Sequence, residues 1–213
     1  MIDAATVEFL ERGYAAATMR RIAATAGVAV PTVESLFGTK ARLLKVAIDV
    51  AIAGDDEPVA VLDRSWTAAA LSATDVDEFL AIVTSVLAAA QTRAAGLVLA
   101  VFEGAAADPA LAELSTQLLA QRAVTAAWLV DHLAHIRPLR DGCSREEGID
   151  TCWVLMDPAV FDRLTRHRGW TAERYGRWFA DAMARLLIDT EPTRSTSSTQ
   201  EPATRQTTDR STT

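Results

Sequence analysis

Apolar residues recur every three or four positions along most of the chain, the spacing that places them on one face of an α-helix. Runs of alternating apolar and polar residues between turn signals are missing from the sequence, so we predict no sheet. The pattern predicts an all-α fold, with a short helical head followed by a larger helical body. The expected helices cover about 2–11, a segment between Thr18 and Gly27, 30–37, a segment that begins behind Thr39, 59–71, a helix that opens near 75, 93–106, 109–136, 144–167 and 172–188.

Helix-breaking residues and changes in composition divide the chain into three parts. The acidic run at 54–58 is the expected boundary between a head over 1–53 and a body over 58–189. Asp157-Pro158 should interrupt the helix predicted for 144–167, because proline cannot donate within a helix and disfavours helix in the residue before it. From 190 to 213 the sequence is rich in Ser, Thr, Gln and Arg without periodicity, which predicts a disordered tail.

The composition narrows the class of protein and the cellular compartment that we expect. The longest uncharged apolar stretch, 79–90, is shorter than the roughly 20 residues that a membrane-spanning helix needs. The N-terminal residues show no secretion signal. Cys143 and Cys152 lack the further cysteines or spaced histidines of a zinc site. We therefore expect a cytoplasmic protein that uses no metal or other cofactor and does not enter a membrane.

Charge is distributed unevenly along the chain. The formal net charge is −7, which by itself argues against a nucleic-acid partner. The window from Arg12 to Lys45, however, holds six basic residues and one acidic residue, a net charge of +5 that leaves −12 for the rest. Both lysines of the protein, Lys40 and Lys45, lie in this window. A basic head on an acidic body is the asymmetry that the function must explain.

The segment from Thr18 to Phe37 carries the most specific pattern. Two short helices meet at Gly27, with the small residues Ala23 and Ala26 near the turn. A close crossing of two helices needs small side chains at the contact and a glycine in the turn. These are the requirements of a helix-turn-helix, whose second helix fits the major groove, about 12 Å wide. An ordinary corner between two helices has the same spacing, and the local positive charge favours DNA binding.

Several short motifs in residues 1–45 keep apolar, turn and basic positions in one register: Ile2-Asp3-Ala4-Ala5, Phe9, Arg12-Gly13-Tyr14, Thr18-Met19-Arg20, Ile22-Ala23, Ala26-Gly27-Val28, Pro31-Thr32-Val33, Phe37-Gly38-Thr39-Lys40 and Leu43-Leu44. Together they resemble the DNA-binding head of the TetR family of bacterial transcriptional regulators. The resemblance implies a homodimer that binds a palindromic operator in double-stranded DNA, usually as a repressor that a small molecule releases. The rest of the chain resembles the family only in length and helical plan.

The resemblance also implies roles for individual residues. The DNA-binding residues that it indicates are Thr18, Arg20, Val30, Pro31, Thr32, Glu34, Ser35 and Lys40. Among them Arg20 resembles a base or phosphate contact, and Thr18 and Lys40 resemble phosphate contacts.

Two positions depart from the family, which commonly has tyrosine where this chain has Glu34 and tyrosine or histidine where it has Leu36. Glu34 has three possible roles: it accepts from a cytosine amino group, pairs with an arginine, or stays solvated. We expect Leu36 to pack rather than to contact DNA. The loss of phosphate contacts predicts weak non-specific binding with a shallow salt dependence.

Two apolar stripes of the body are candidates for a dimer interface. One follows Ile149, Cys152, Trp153, Met156 and Val160. The other supplies the predicted dimer-interface residues Tyr175, Trp178, Phe179, Ala182 and Leu186. Two such helices from each subunit would form a four-helix bundle, which is how the family usually dimerises. Packing within one subunit is the alternative for either stripe, and we favour dimer contacts for the last helix because it precedes the predicted tail.

An effector pocket needs apolar walls and a few polar groups. The predicted ligand-binding residues are Trp66, Phe102, Trp128, His132, Trp153 and Met156, with Phe79 as a further wall and Asp157 or Glu103 as polar anchors. Plain core packing is the alternative for each of them. His132 and His135 lie three residues apart and would be able to meet a metal ion. The sequence places no third ligand near them, so we do not predict a metal site.

The sequence thus predicts a DNA-binding regulator, which we expect to be associated with the nucleoid. It shows no catalytic triad pattern, phosphate-binding glycine loop or defensible carboxylate pair, so we do not predict an enzyme. The first rival is a helical small-molecule-binding protein with a degenerate DNA-binding head, which Glu34 and Leu36 favour. The second is a helical enzyme, which only the aromatic and acidic body favours.

Overall fold

The computed structural model describes residues 1–57 and 59–188, and the predicted tail at 190–213 lies outside them. The described part of the chain contains a 3-10 turn at Val61–Asp63 and a π-helical turn at Arg163–His167, and the β pairing in these ranges is a single bridge between Leu139 and Ile188. The protein is therefore all-α, as predicted. The helices are α1 (Ile2–Ala16), α2 (Met19–Thr25), α3 (Val30–Phe37), α4 (Lys40–Ala53), α5 (Ser65–Leu71), α6 (Val76–Gly104), α7 (Pro109–Ile136), α8 (Arg145–Leu155), α9 (Pro158–Asp162) and α10 (Ala172–Leu187).

Most helices begin where the sequence supplies a hydrogen-bonding side chain. The N-cap side chain accepts from a backbone N–H of the first turn, a donor that the start of a helix otherwise leaves unpaired. The starts predicted behind Thr18, Thr39 and Thr171 are confirmed. The caps of this kind are Thr18, Thr39, Asp75, Asp108, Ser144, Asp157 and Thr171.

The helix expected over about 2–11 is interrupted at Gly13, whose φ of +70° and ψ of 167° are not helical, and α1 resumes beyond it as far as Ala16. Three of the other helix predictions are wrong. The two helices expected between 75 and 106 are one helix of 29 residues, α6, because its interior is rich in alanine and contains no proline. The helix expected over 59–71 is shortened to the 3-10 turn and α5.

Two clusters of buried apolar side chains hold the helices together. The head cluster includes Phe9, Ile22 and Leu44 from α1, α2 and α4, and Leu97 of α6 and Leu111 of α7 complete it. The body cluster is formed mainly by α6, α7, α8, α9 and α10. Since α6 supplies residues to both clusters, the head is fixed to the body by a shared core. The predicted boundaries at 53, 58 and 189 stay predictions.

Helix α6 is the central element of the described chain. It contacts α1, α4, α5, α7, α9 and α10. By length and composition it is the one helix of the described residues that would be able to cross a membrane, with a mean hydropathy of 1.5 over 18 residues. A central helix in the core of a helical protein has the same character, and the packing of six helices around α6 explains its apolar composition.

The break between α8 and α9 falls at Asp157-Pro158, as predicted. Each polar group that the break frees has a partner from another helix. Gln91 Nε2 of α6 donates to the Met156 carbonyl (2.6 Å), and Tyr175 Oη of α10 donates to the Leu155 carbonyl (2.9 Å). Arg122 of α7 pairs with Asp157 at 2.7 Å. The break is thus held from three sides.

Candidate nucleic-acid interface

The α2–α3 pair has the geometry of a helix-turn-helix. Gly27 adopts a φ of +68° in the turn, a conformation that glycine takes without strain. The Val28 N–H donates to the Ala23 carbonyl at 3.0 Å, which closes the turn. Ile22 and Val33 are fully buried between the two helices and the rest of the head. This core fixes which side of α3 faces outward.

The outward side of α3 is exposed to solvent. Pro31, Thr32, Glu34 and Ser35 are all exposed, on the helix that carries Val33 on its inner side. Val30, at the start of α3, is half-buried against the head cluster. This face is free to enter a groove of the width that accepts one helix.

Leu36 contradicts our prediction that it packs. Its side chain is 56% exposed, although an apolar residue at this spacing would be expected to bury its surface. It lies on the same short helix as the exposed polar residues, on a flank that the other described helices leave exposed. An uncovered leucine next to a nucleic-acid-facing surface is available for contact with an apolar group such as a thymine methyl.

Thr18 and Arg20 lie at the start of α2 and are both exposed. The Thr18 hydroxyl oxygen accepts from the Arg21 N–H at 3.3 Å. Because a hydroxyl can donate while it accepts, the O–H of Thr18 remains available for a phosphate oxygen. The positions of both residues are compatible with the DNA contacts predicted for them, which stay predictions.

Lys40 has partners inside the head. Its Nζ donates to the Tyr14 carbonyl at 2.7 Å and to the Ala17 carbonyl at 3.0 Å, and it lies 4.0 Å from the centre of the Tyr14 ring. A cation is stabilised at the C-terminal end of a helix, where the backbone carbonyls are unpaired. The two carbonyls that Lys40 contacts belong to the last turn of α1 and its cap. These two hydrogen bonds join α4 to α1 and use two of the three N–H donors of the ammonium group, so the phosphate contact predicted for Lys40 stays a prediction.

We therefore expect Lys40→Met to lower the thermal stability of the protein. Hydrogen bonds from a charged donor contribute about 1.5–3 kcal/mol, and partial exposure reduces this figure, so a loss of about 1 kcal/mol is expected. Thermal unfolding followed by circular dichroism measures it. The exposed Arg42→Met is the matched control, with an unchanged midpoint. An unchanged midpoint for Lys40→Met, combined with lost DNA binding, would return Lys40 to the phosphate role.

Asp108 lies close to Tyr14 and Lys40 and so connects these two residues of the head to the body. Burial raises the pKa of Tyr14, and the nearby charge of Asp108 raises it further. Burial also lowers the pKa of Lys40, which the charge of Asp108 opposes. Asp108 is at the same time the N-cap of α7. The head and the α6–α7 turn are therefore joined by polar contacts as well as by the shared core.

The other cationic side chains of the head differ in whether they have an ion-pair partner. Arg12 and Arg21 both pair with Glu8 at 3.2 Å, and Lys45 pairs with Asp49 at 2.6 Å. Arg42 is exposed in the first turn of α4, and our prediction omitted it. Its position behind the Thr39 cap would have indicated it, because the start of a helix favours a bound phosphate. Among the cationic side chains of the described head, Arg20 and Arg42 are the two for which we find neither an ion pair nor a hydrogen bond, since Lys40 donates to two carbonyls.

Four of the predicted effector residues lie together. The rings of Trp66 and Trp128 meet edge to face at 5.7 Å, His132 stacks on Trp128 at 6.0 Å, and Phe79 lies 5.3 Å from His132. In the described ranges the buried Trp66 Nε1 and Thr67 Oγ1 have no hydrogen-bond partner. We call Trp66, Phe79, Trp128 and His132 the aromatic cluster.

The remaining predicted effector residues are elsewhere. Phe102 packs against the head cluster. The ring of Trp153 lies 3.9 Å below the Arg122 guanidinium, near Met156 at the α8–α9 break. Of the two predicted polar anchors, Asp157 is engaged by Arg122, and Glu103 is exposed on α6. The sequence did not show that these residues belong to three separate environments.

The histidines of α7 stand apart from other metal-binding side chains. The rings of His132 and His135 are 6.1 Å apart. Within 1–57 and 59–188, no group of three His, Cys, Asp or Glu side chains has the arrangement of a metal site. Burial raises the pKa of the Cys152 thiol to about 12, so this cysteine remains a neutral core residue.

Two of the five predicted dimer-interface residues are wrong. Tyr175 and Phe179 are fully buried within the subunit, on the side of α10 that packs against α6 and α9. Trp178 and Ala182 are half-buried, and Leu186 is 45% exposed. The apolar stripe of α10 is thus mainly subunit core, and only its edge is available to a partner.

Two open grooves run beside α10. The first lies between α6 and α10, has a volume of about 790 Å³ and is floored by small residues such as Ala88, Gly176 and Ala180. The second has a volume of about 640 Å³ and is lined by Trp170, Trp178 and Arg174, among others. Neither groove contains a residue predicted to bind the effector, although Trp178 belongs to the predicted dimer interface.

These features define the class of protein: an all-α chain with a helix-turn-helix head that shares its core with a helical body. Residues 1–47 match the family described as bacterial regulatory proteins, tetR family. The head therefore matches the tetR family of bacterial regulatory proteins, which confirms the resemblance that its motifs indicate.

Solved structures show the same fold over nearly the whole chain. A putative transcriptional regulator from Pseudomonas aeruginosa PAO1 is 16% identical with a TM-score of 0.63, and 87% of each chain is covered. A putative transcriptional regulator from Saccharomonospora viridis in complex with choline is 17% identical, with a TM-score of 0.63 and coverage of 88% of this chain and 95% of that one. A putative TetR-family regulator from Mesorhizobium loti MAFF303099 is 19% identical, with a TM-score of 0.57 and the same coverage. No curated protein sequence matches the chain.

Proposed function

We propose that this regulator is a repressor that binds a palindromic operator as a homodimer and is released by a small apolar effector. The observation that carries the proposal is the exposed outer face of α3, beside the exposed Arg20, in a head that matches the family over 1–47. The proposed DNA-binding residues are those predicted from the sequence, with Arg42 in place of Lys40 as the phosphate contact of α4. Two copies of α3 would have to lie about 34–36 Å apart, one turn of duplex.

Footprinting of the purified protein on its own upstream region, followed by gel-shift titration, tests the proposal. We expect a protected site with two half-sites one helical turn apart, and binding to this fragment in preference to unrelated duplexes. Weak binding with no preference among fragments would favour a helical small-molecule-binding protein with a degenerate head. Specific and non-specific binding should be easy to tell apart, because the acidic body opposes non-specific attraction to DNA.

The dimer interface that we propose is the outer side of α10 together with the groove beside α6. Small side chains at Ala88, Gly176 and Ala180 let a helix approach closely, and charges of both signs, Arg177 and Asp181, line the same groove. In a two-fold symmetric interface the same surface of each subunit meets itself, so charges of both signs on one surface can pair across the axis. The half-buried Trp178 adds an aromatic anchor of the kind that interfaces favour.

Ala180→Arg is expected to convert the dimer to monomer. A long charged side chain fills the groove and places a buried cation in the interface, whereas an open groove in the free subunit accommodates it. Analytical ultracentrifugation measures the assembly state. Ala120→Arg, an exposed position of α7 outside both grooves, is the control and should leave the dimer intact. A dimer that survives Ala180→Arg contradicts this interface.

The effector site that we propose is the aromatic cluster. Its rings supply apolar walls, and the Trp66 indole N–H and Thr67 hydroxyl supply unpartnered polar groups in the described part of the chain. A ligand that binds better when the helices around the cluster separate would shift the population away from the DNA-bound arrangement. Predicted ligand residues outside the cluster, namely Phe102, Trp153 and Met156, are not part of this proposed site.

Arg93 offers a connection from the body to the head. This α6 residue donates from Nε to the Ala51 carbonyl at 2.7 Å and from Nη2 to the Ile52 carbonyl at 3.2 Å. These carbonyls belong to the last turn of α4, where a cation is favourable. A displacement of α6 by an effector would therefore move α4, and with it α3. This coupling between α6 and the head is part of the repressor mechanism that we propose.

A further inference from the structure

Helix α3 and the residues on either side of it have an unusual polar composition. From Ile22 to Thr39 the chain has no Lys, Arg, His, Asn or Gln. Specific contacts with guanine usually come from Arg or Lys, and those with adenine from Asn or Gln. On α3 the exposed polar side chains are Thr32, Glu34 and Ser35, and Glu34 is the charged one. Base recognition by this helix therefore has to rely on a carboxylate, two hydroxyls and apolar contacts.

The carboxylate of Glu34 has no salt bridge in the described residues, although several arginines lie in the same head. Arg12 and Arg21 are both held by Glu8, and the Lys40 ammonium is held by carbonyls of α1 and its cap. Of the three roles that the sequence leaves open for Glu34, pairing with an arginine is thus removed for the unbound protein. An exposed, uncompensated negative charge remains on the outer side of α3.

A negative charge on a groove-facing helix is repelled by most of what duplex DNA presents. Phosphates are anionic, and guanine N7 and O6, adenine N7 and thymine O4 are acceptors. The cytosine N4 amino group donates without an acceptor on the same base edge, whereas the adenine amino group stands beside the N7 acceptor. A carboxylate that lies in the groove therefore gains a hydrogen bond most favourably at cytosine.

We propose that Glu34 reads a cytosine in each half-site of the operator, as the acceptor for its N4 amino group. The inference rests on the proposed DNA-binding function and adds the base that α3 selects. It also means that the same side chain opposes binding at sites where it meets an acceptor. Glu34 would then supply specificity by rejecting wrong sequences as much as by stabilising the right one.

The test starts from the operator that footprinting defines and uses the full-length protein. Each C·G pair of a half-site is changed in turn to T·A, symmetrically in both half-sites, which replaces the N4 donor by the O4 acceptor. A mismatched base pair costs about 1–3 kcal/mol, which is roughly 5-fold to 150-fold in affinity per half-site. We expect one position at which the wild-type protein shows such a loss and Glu34→Ala shows little or none.

Glu34→Gln and Glu11→Gln complete the design. The amide of Glu34→Gln can donate as well as accept, so at the same position we expect its preference to move toward adenine. Glu11→Gln removes an exposed negative charge elsewhere in the head, and we expect it to change affinity equally for all sequences.

Two results would overturn the inference. An operator bound with the same base preferences by wild type and Glu34→Ala would show that Glu34 stays solvated in the complex. A uniform gain in affinity for Glu34→Ala would show repulsion without reading. If the wild-type protein prefers no site at all, the proposed function fails together with the inference, so the two failures are distinguishable.

Discussion

Phe179→Ala is expected to lower the free energy of unfolding by about 3–5 kcal/mol. The ring is fully buried in the body cluster, in contact distance of the Tyr175 ring with centres 6.3 Å apart. Its removal loses the transfer free energy of a large apolar side chain and leaves a cavity that the surrounding helices only partly close. Urea denaturation followed by circular dichroism measures the change, with the midpoint as the model-independent quantity.

Trp178→Ala on the same helix is the matched comparison. Trp178 is half-buried beside the second groove, so its truncation should weaken self-association more than it weakens the subunit. Measurements at two protein concentrations separate the effects, because the stability of a dimer depends on concentration and that of a subunit core does not. A Phe179→Ala protein that stays stable as a monomer would show that Phe179 faces a partner after all.

The sequence was informative about the head because its signals are local. A threonine before a helix, a glycine in a turn and apolar residues three or four apart each act within a few residues, and Thr18, Gly27 and Val33 have the roles that these rules predict. The long alanine-rich helix α6 was misjudged for the same reason. Its interior contains Gly96 but no proline, and only the packing of its neighbours shows that the helix continues through this glycine as one element.

The candidate sites of the body needed information that periodicity does not contain. The stripe on α10 was correctly identified as apolar, but spacing alone does not distinguish a face that meets α6 of the same subunit from one that meets a second copy. Tyr175 and Phe179 were misassigned on this ground. Lys40 shows the corresponding limit for charge: its partners are carbonyls 23 and 26 residues earlier in the chain, a contact that depends on how α1 and α4 pack.

Arg20→Ala is expected to weaken operator binding by at least about 30-fold while it leaves the fold unchanged. The side chain is exposed at the start of α2, so its truncation opens no cavity. A specific contact contributes about 1–3 kcal/mol, and a dimer loses two of them, so with 1.4 kcal/mol for each tenfold change even the lower figure gives about 30-fold. Fluorescence-anisotropy titration of a labelled operator measures the loss, and Arg137→Ala, an exposed arginine at the far end of α7, should bind as the wild type does.

The salt dependence of the same titration distinguishes the two roles that Arg20 can have. If Arg20 neutralises a phosphate in each half-site, Arg20→Ala should make the slope of log affinity against log salt shallower by about 1.8, since each phosphate contributes about 0.9. If it contacts a base, the slope stays the same and discrimination at one base pair is lost. The wild-type slope should itself be no steeper than about −4, because Arg20 and Arg42 are the cationic side chains of each described head for which we find neither an ion pair nor a hydrogen bond, and two heads supply four contacts. Equal binding by wild type and Arg20→Ala at every salt concentration would remove α2 from the interface.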